Sequence, residues 1–528
     1  MNYGQLTEYS KQLISGDDAV QLSQLGYFCF QGGLYDLACE CFLKSYQLNK
    51  NDYFVVLYLI DCLKKRDQNL EALEIGVGFL EADKSDDVTI IQALLPILNV
   101  RDKKGVRELN INQKSVKKLE GIIENIQNDC NNLLAQFYFQ LGNDEFVKSS
   151  KSSDIIFGEV VGVKKLVEFG LATYRRCGNA GTIIYHEING KNSDITVNQP
   201  EPYVAEIPNA ILSSSSSLIR VKNFIVSDYL SHPEFGKFCM IDADPTLVAD
   251  RGGSILVKSQ PNREFVEKGI FLSGTASSAY GHWTQEFLPK LRFFETHPDF
   301  KEFKIIIDAD MPSTHYDYLK SLVSNDLFIL PKSAEVLVGR LLVAPADSFF
   351  PTDLKYGHTV PVEYQSTFTK DAIVYLRQKI ITKRNYKSPS KTALYINRRS
   401  SSWRCCENSR VVGEYLKKYN FKEVDLTEYS FDDQVKLFSD AGIVVAENGS
   451  ALNNIIFCHS ETPIIILGSK YKANLGVWYG SFRSLGYTLA YVEGEPLNGS
   501  PSKHSNYVID IQKLDLILKK YLPNLPQT

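Results

Sequence analysis

Over residues 1 to about 150, apolar side chains return every three to four positions with polar ones between them, and the first proline is Pro96. That period puts an apolar stripe on each of several consecutive helices. Leu22, Leu25, Gly26, Ala38 and Phe42 stand at the spacings of a tight helix pair, and Val56, Leu59, Ala72 and Phe79 partly repeat them 34 residues on. Small residues such as Ala38 and Ala72 let paired helices approach closely. Two pairs need further helices to close a core, so the whole stretch is expected to form an all-α, repeat-like module.

The texture changes near residue 153. GTIIYHEI, DITV, YVAEI, SLIRVKNFIVSDYL and KFCMIDAD are short β-branched or aromatic runs broken by Gly, Asn, Pro and Ser, the signature of strands and turns. The serines 213–217 read as a loop. After residue 281 strands and helices alternate: FKIIIDA, THYDYLKSLVS, LFILP, EVLVGRLLVAP. The last region is the clearest. KTALYIN (391–397) is a strand, SRVVGEYLKKY (409–419) a helix and FKEVDL (421–426) a strand. SFDDQVKLFSDA (430–441) is a helix with Ser430 as N-cap and Asp433 at the capping-box position. GIVVAEN, a helix after Gly449 and PIIILG (463–468) follow. Strands alternating with helices of this length imply an α/β fold with a doubly wound parallel sheet.

Bulk properties narrow the class. The 528 residues are 44% hydrophobic and 23% charged, as in folded globular chains, and a formal charge of −4 gives nucleic acid no electrostatic footprint. The ten cysteines form no CxxC pair or disulfide ladder, and those at 29, 39, 41 and 62 fall in helical segments as small buried apolar residues. MNYGQLTEYSKQL lacks a signal-peptide pattern and no run of 18 apolar residues occurs, so the sequence is expected to have no transmembrane segment and to be cytoplasmic.

Two loops carry candidate chemistry. VVAENGSALNNIIF (444–457) is a buried strand ending on Glu447, Asn448, Gly449 and Ser450. A glycine there permits a sharp turn and a close approach, and a helix start offers N–H groups to an anion. Asn453 follows one turn on. Directly after KTALYIN stand Arg398, Arg399 and Arg404, whose guanidinium forks match phosphate oxygens in pairs. In a parallel sheet both loops lie at strand C-termini, where ligands bind. Together they suggest a nucleoside diphosphate. His282 and Glu286 share one helical face at a spacing of four, a base and its orienting partner in either order. Asp242-Ala243-Asp244 and Asp308-Ala309-Asp310 follow apolar strands, as metal-binding DxD pairs do, but in no nucleotide-domain context. No HxH or HExxH spacing points to zinc.

These segments, in order, resemble glycosyltransferase family 61. YINRRSSSWRCCEN and DDQVKLFSDAGIVVAENGSALNNIIFCHSETPIIIL are similar to its C-terminal half. SAYGHWTQEFLPKLRFFE (278–295) is similar to its HW-x-x-E-x-L-P-x-L segment, and the β-rich stretch 205–230, ending near Asp228, to its lead-in. The histidine usual before the Gly-Ser turn is Asn448 here. The N-terminal helical pairs resemble tetratricopeptide repeats, with the second glycine absent and Lys50 where a helix-ending proline is usual.

The resemblance implies a GT-B-like pair of Rossmann-like domains: residues 151–375 on the acceptor side and 376–528 for the nucleotide-sugar, preceded by the helical module 1–150. It implies inverting transfer of a hexosyl or pentosyl unit from a nucleotide-sugar to a glycan or lipid-linked glycan, as in bacterial capsule or other surface polysaccharide synthesis. His282 and Glu286 are then the catalytic pair. Arg398, Arg399, Arg404, Glu447, Asn448, Gly449, Ser450 and Asn453 form the donor site, with neither metal nor further cofactor expected. A peripheral place at the inner membrane suits a lipid-linked acceptor, and residues 1–150 are expected to dock a protein partner. Two alternatives stand beside this reading: a non-catalytic repeat scaffold with a degenerate transferase fold, and a metal-dependent GT-A-type transferase.

Overall fold

The helical periodicity of the N-terminal stretch is realised as successive antiparallel helices, Ala19–Gln31 against Tyr35–Leu48 and Tyr53–Lys65 against Asn69–Asp83. The computed structural model describes residues 3–31, 33–83, 87–98, 113–126, 129–152, 154–177, 182–187, 193–198, 202–227, 244–251, 253–260, 263–346, 369–384, 392–401, 404–470, 482, 485–497 and 505–521. By internal contacts the chain divides into two compact units. One holds residues 1–160, 246–260 and 498–500; the other holds the remainder.

In the first unit Leu22, Ala38, Val56, Leu59 and Ala72 are fully buried, with Leu25, Phe42 and Phe79 nearly so. A Cβ on Gly26 would lie 2.8 Å from the Phe42 ring, which is why the first pair needs glycine there. In the second pair the equivalent of Gly26 is Ile60 and that of Phe42 is Gly76. A Cβ on Gly76 would lie 2.7 Å from Leu94 and 3.1 Å from Ile60. The small and large partners have exchanged helices, so the missing second glycine does not open the pair. Cys29, Cys39, Cys41 and Cys62 are buried free thiols, and burial pushes Cys29 up to about 11 and Cys41 and Cys62 up to about 12. The helices Cys130–Gln140 and Asp144–Ser149 extend the module. A hairpin from far downstream joins it: Ser254–Lys258 pairs antiparallel with Ile155–Val161, and Leu256 packs on Phe139 and Val147. Arg251 from this hairpin stacks 4.5 Å over the Phe139 ring and bonds Asp144.

The second unit contains two sheets. In the first, Leu327–Leu330, Lys304–Asp308, Arg263–Phe271 and Glu335–Val343 run parallel in that order. Tyr203–Ser213 continues it antiparallel, followed by Ile219–Val221 and Phe224–Val226. The stretch expected to be Rossmann-like is therefore a mixed sheet, parallel only in part. Asp308 accepts from Ser215 N–H at 2.6 Å although two strands separate theirs in the sheet order, so the sheet curls until these ends meet. Its inner face carries Ile207, Leu212, Ile306, Val336 and Val338.

The second sheet has the order Phe421–Val424, Thr392–Ile396, Ala441–Glu447, Ile464–Ser469, Leu489–Pro496 and Tyr507–Val508, parallel but for the last. Counted from Thr392–Ile396 this is 2-1-3-4-5 before the closing strand, a doubly wound topology. The helices Ser409–Lys417 and Phe431–Ser439 are its first two crossovers. Ser430 caps the second through Asp433 N–H at 3.2 Å and donates to the Asp433 carboxylate at 2.6 Å. One apolar core joins the two sheets, with Ile270, Trp283, Ile305 and Leu342 packed in the same cluster as Leu394, Ile396, Val444 and Ile456. No described helix is long and apolar enough to cross a membrane.

Candidate active site

A doubly wound sheet opens a crevice where its strand order reverses, because the crossovers on either side leave to opposite faces. Here that point lies between the C-terminal ends of Thr392–Ile396 and Ala441–Glu447. Residues 397–401 and 448–450, from the two loops singled out in the sequence, leave from these ends and meet. Arg398 Nη1 donates to Asn448 O at 2.5 Å and Nη2 to Ser401 Oγ at 3.0 Å. Its guanidinium lies flat against Gly449, where a Cβ would come within 2.6 Å of Cζ, Nε and Nη1. Gly449 is extended (φ −179°), so what the missing side chain provides is this close approach, taken up by Arg398.

Arg404 adopts φ +55°, a left-handed conformation rare for arginine, and its guanidinium lies near enough to Arg398 to feel its charge. Burial first, and then Arg398, lower its pKa, and its buried Nε has no hydrogen-bond partner among the described residues. Neither Arg398 nor Arg404 forms an ion pair with a carboxylate among the described residues. Two neighbouring cations that ion-pair with no carboxylate among the described residues favour an anion between them, although the buried Glu447 feels the charge of Arg398. Arg399 departs from the expected trio: it is more exposed and pairs with Glu423 on the neighbouring strand.

The other residues of the turn take structural positions. Glu447 is 1% exposed and accepts from Tyr395 OH at 2.6 Å on the interior side of its strand. Burial raises its carboxyl above the ordinary range, while bonds from Tyr395, Ser409 and the Cys406 backbone and the charge of Arg398 oppose this. Asn448 is buried, with its side chain bonded to Tyr491 and its carbonyl to Arg398. Ser450 is exposed and does not cap a helix. The helix expected after Gly449 is a 3-10 helix, Ser450–Phe457, closed first from Leu452 N–H to Gly449 O at 3.0 Å. Asn453 is buried and donates to Thr284 Oγ1 while accepting from Gln285, both at 2.6 Å.

Those last bonds reach the second candidate element. Residues 280–294 form one helical run whose middle, Trp283–Phe287, widens into a π-helical turn closed by Leu288 N–H to Trp283 O. Such turns recur at functional sites. The run starts beside the Gly449–Ser450 turn: a Cβ on Gly281 would sit 3.7 Å from Ser450 Cβ. Tyr280 OH donates to Asn454 at 2.5 Å, and Asn454 donates to Gln434 at 2.9 Å, a buried amide relay between the sheets. On the other side Trp283, Phe287 and Leu291 enter the core. His282 Nδ1 and Glu286 Oε2 are 2.5 Å apart, their side chains 13% and 15% exposed. The spacing of four thus brings them into direct contact.

One neighbour escaped the sequence reading. Lys290, four residues after Glu286, holds its ammonium 5.2 Å over the Phe287 ring. Burial lowers its pKa to about 8, with Glu286 opposing. The i, i+4, i+8 series His282, Glu286, Lys290 was the signal for it. Of the DxD candidates, Asp310 is exposed and pairs with Lys332. Asp308 is buried and both its oxygens accept protein donors, a poor donor set for a cation. Asp228, Asp242 and Trp403 lie outside the described residues.

Residues 280–465 match the family model described as Glycosyltransferase 61. The match begins at the His282 helix and ends in the strand after the Gly449 turn; it covers less than half the chain, and over that span the chain is similar to a glycosyltransferase family. No curated protein matches. Among solved structures, the type III secretion translocator chaperone SycD of Yersinia enterocolitica aligns at 20% identity over 25% of this chain and 98% of its own, with a TM-score of 0.19. A thermophilic tetratricopeptide-repeat protein of Thermus thermophilus aligns at 17% identity over 25% of this chain and 70% of its own, also with a TM-score of 0.19.

Proposed function

We propose that the second unit is a nucleotide-sugar-dependent, inverting glycosyltransferase working without a metal, in a GT-B-like division of labour. The observation that carries this reading is the pair Arg398 and Arg404, without carboxylate partners, at the switch point, with the His282–Glu286 helix beginning beside Ser450. The donor diphosphate lies between the two guanidiniums, with Ser450 at its edge. Glu286 holds His282 through Nδ1, so a proton leaving an acceptor hydroxyl enters at Nε2 and the imidazolium is stabilised by the carboxylate. Lys290 keeps positive charge behind Glu286. The acceptor oxygen forms the new bond at the anomeric carbon as the bond to the diphosphate oxygen breaks, and the arginines receive the departing charge. The acceptor class that suits this is a glycan or lipid-linked glycan of a bacterial surface polysaccharide, with the helical unit docking a protein partner.

The test is release of nucleoside diphosphate by the full chain from a panel of nucleotide-sugars. Glu286→Gln and His282→Gln are expected to lower turnover by about 10²- to 10⁴-fold while leaving nucleotide affinity in place. Wild-type turnover in both variants would remove the pair from the reaction.

A further inference from the structure

The function proposed above leaves one group of residues unused: two acidic side chains that resemble metal ligands in the sequence and do something else in the fold. Asp308 ends the strand Lys304–Asp308 and is 3% exposed. Its Oδ2 accepts from Ser273 Oγ at 2.7 Å, from Ser277 Oγ at 2.6 Å and from Gly274 N–H at 3.5 Å, while Oδ1 accepts from Ser215 N–H at 2.6 Å. Asp244, 7% exposed, accepts from Ser216 Oγ and Ser217 N–H, each at 3.0 Å, and from Thr275 Oγ1 at 3.3 Å. Ser217 Oγ in turn accepts from Thr275 N–H at 2.9 Å. Two loops, 213–217 and 273–277, are therefore stitched together through two buried carboxylates.

The second loop runs directly into Tyr280–His282, and it is held in a conformation it would not adopt alone. Ala276 has φ +68°, Gly274 φ +153°, and Ser215 opposite them φ +57°. Left-handed non-glycine residues cost of order 1 kcal/mol or more each and persist where surrounding bonds over-determine them. Here those bonds are the ones to Asp308 and Asp244. Gly274 has no room for a side chain, since a Cβ would lie 2.8 Å from Ser217 Oγ. Downstream, Ala279 N–H bonds Ala276 O at 2.9 Å and Trp283 N–H bonds Ala279 O at 2.9 Å, so the strained turn passes without a break into the helix that carries His282 and Glu286.

We infer that Asp308, assisted by Asp244, is a positioning residue: through Ser273 and Ser277 it fixes the entry angle of the 280–294 helix and so aims the His282–Glu286 pair at the donor loops. The inference rests on the transferase reading for its kinetic consequence only. A carboxylate is suited to the task because it is acceptor-only and takes several donors at once, whereas asparagine in its place offers one oxygen and turns an N–H₂ toward hydroxyls now pointing at it.

The experiment uses the full chain as wild type, Asp308→Asn and the milder Ser277→Ala, with two readouts. The first is the titration of the His282 imidazole followed by NMR, which does not depend on turnover. Both variants are expected to move the midpoint or broaden the signal, with Ser277→Ala nearer wild type. The second is steady-state kinetics. A misplacement of about 1 Å lowers turnover about 10²-fold, so kcat is expected to fall by that order in Asp308→Asn and less in Ser277→Ala. Donor KM and nucleoside diphosphate affinity stay near wild type, and the pH dependence of kcat shifts with the His282 titration. A His282 titration identical to wild type in both variants overturns the inference. So does wild-type activity lost to EDTA together with rescue of Asp308→Asn by excess Mn²⁺, which would make Asp308 a metal ligand. If no nucleotide-sugar is turned over but the His282 signal moves in both variants, the transferase reading fails and the positioning role stands.

Discussion

Replacing Gly449 by alanine separates the arginine's role from the stability of the fold. The new Cβ would be 2.6 Å from Cζ, Nε and Nη1 of Arg398, well inside contact distance. The backbone has no objection, because φ −179° is open to any residue and Gly→Ala at a compatible site adds about 0.4–1 kcal/mol of stability. What must move is the far end of a flexible side chain. The guanidinium swings away and loses its 2.5 Å bond to Asn448 O, together with its place in the proposed diphosphate site. Hydrogen bonds from charged groups contribute about 1.5–3 kcal/mol, so nucleoside diphosphate affinity should fall about 10- to 100-fold. The lost bond to Asn448 O offsets that gain, so the thermal midpoint without ligand should change little or fall slightly. Titration calorimetry on Gly449→Ala, Arg398→Ala and the double variant tests this. Because both changes act through one group, the double variant should bind no more weakly than the weaker single one. Wild-type affinity in Gly449→Ala, with an unchanged midpoint, would refute the role given to Arg398.

Two further outcomes follow from buried titratable groups. His315 is 1% exposed and stacks on Trp283, and burial lowers its pKa to about 4. The unfolded chain takes its proton near pH 6.5 and the folded chain only near 4, so stability from this group is complete above 6.5 and up to about 3 kcal/mol is lost as pH falls between the two. Urea denaturation at pH 7.5 and 4.5 should show this loss in wild type and a smaller one in His315→Phe, which keeps the ring stack. For Glu447 the sign is opposite: its carboxyl is raised, so its contribution is greatest at low pH and falls as pH rises from the ordinary carboxyl range toward the raised value. Glu447→Gln retains an acceptor for Tyr395 OH and should melt at or above wild type at pH 7.5. Nucleotide affinity should stay within about threefold, under 1 kcal/mol, and a much larger loss would return Glu447 to the donor site.

The parts legible in the sequence were those carried by local pattern. The crossovers 409–417 and 431–439, the Ser430 cap and the adjacency of the two loops follow from alternation, capping chemistry and sheet topology. The contact of His282 with Glu286 follows from helical spacing, even though the turn that holds them is π-helical. What was not legible depends on tertiary partners. Glu447 and Asn453 have the composition of ligand residues, but Tyr395 and the Thr284–Gln285 pair, 52 and about 168 residues away in sequence, take up their polar groups. The element after Gly449 has a helical pattern that does not distinguish a 3-10 from an α-helix. The antiparallel half of the curled sheet was hidden because β-branched runs specify strands without their direction. The exchange of Gly26–Phe42 for Ile60–Gly76 looked like a broken repeat until both helices were seen in contact.

The central claim is a metal-independent diphosphate site at Arg398 and Arg404. Its most direct test is a thermal-shift panel of the full chain against UDP, GDP, CMP, CDP and dTDP, each with and without EDTA, repeated on Arg398→Ala. One nucleotide at 100 times its Kd should add about 2.7 kcal/mol of stability, equally with chelator, and the shift should vanish in the variant. No shift with any nucleotide, or a shift that requires a divalent cation, would contradict the claim.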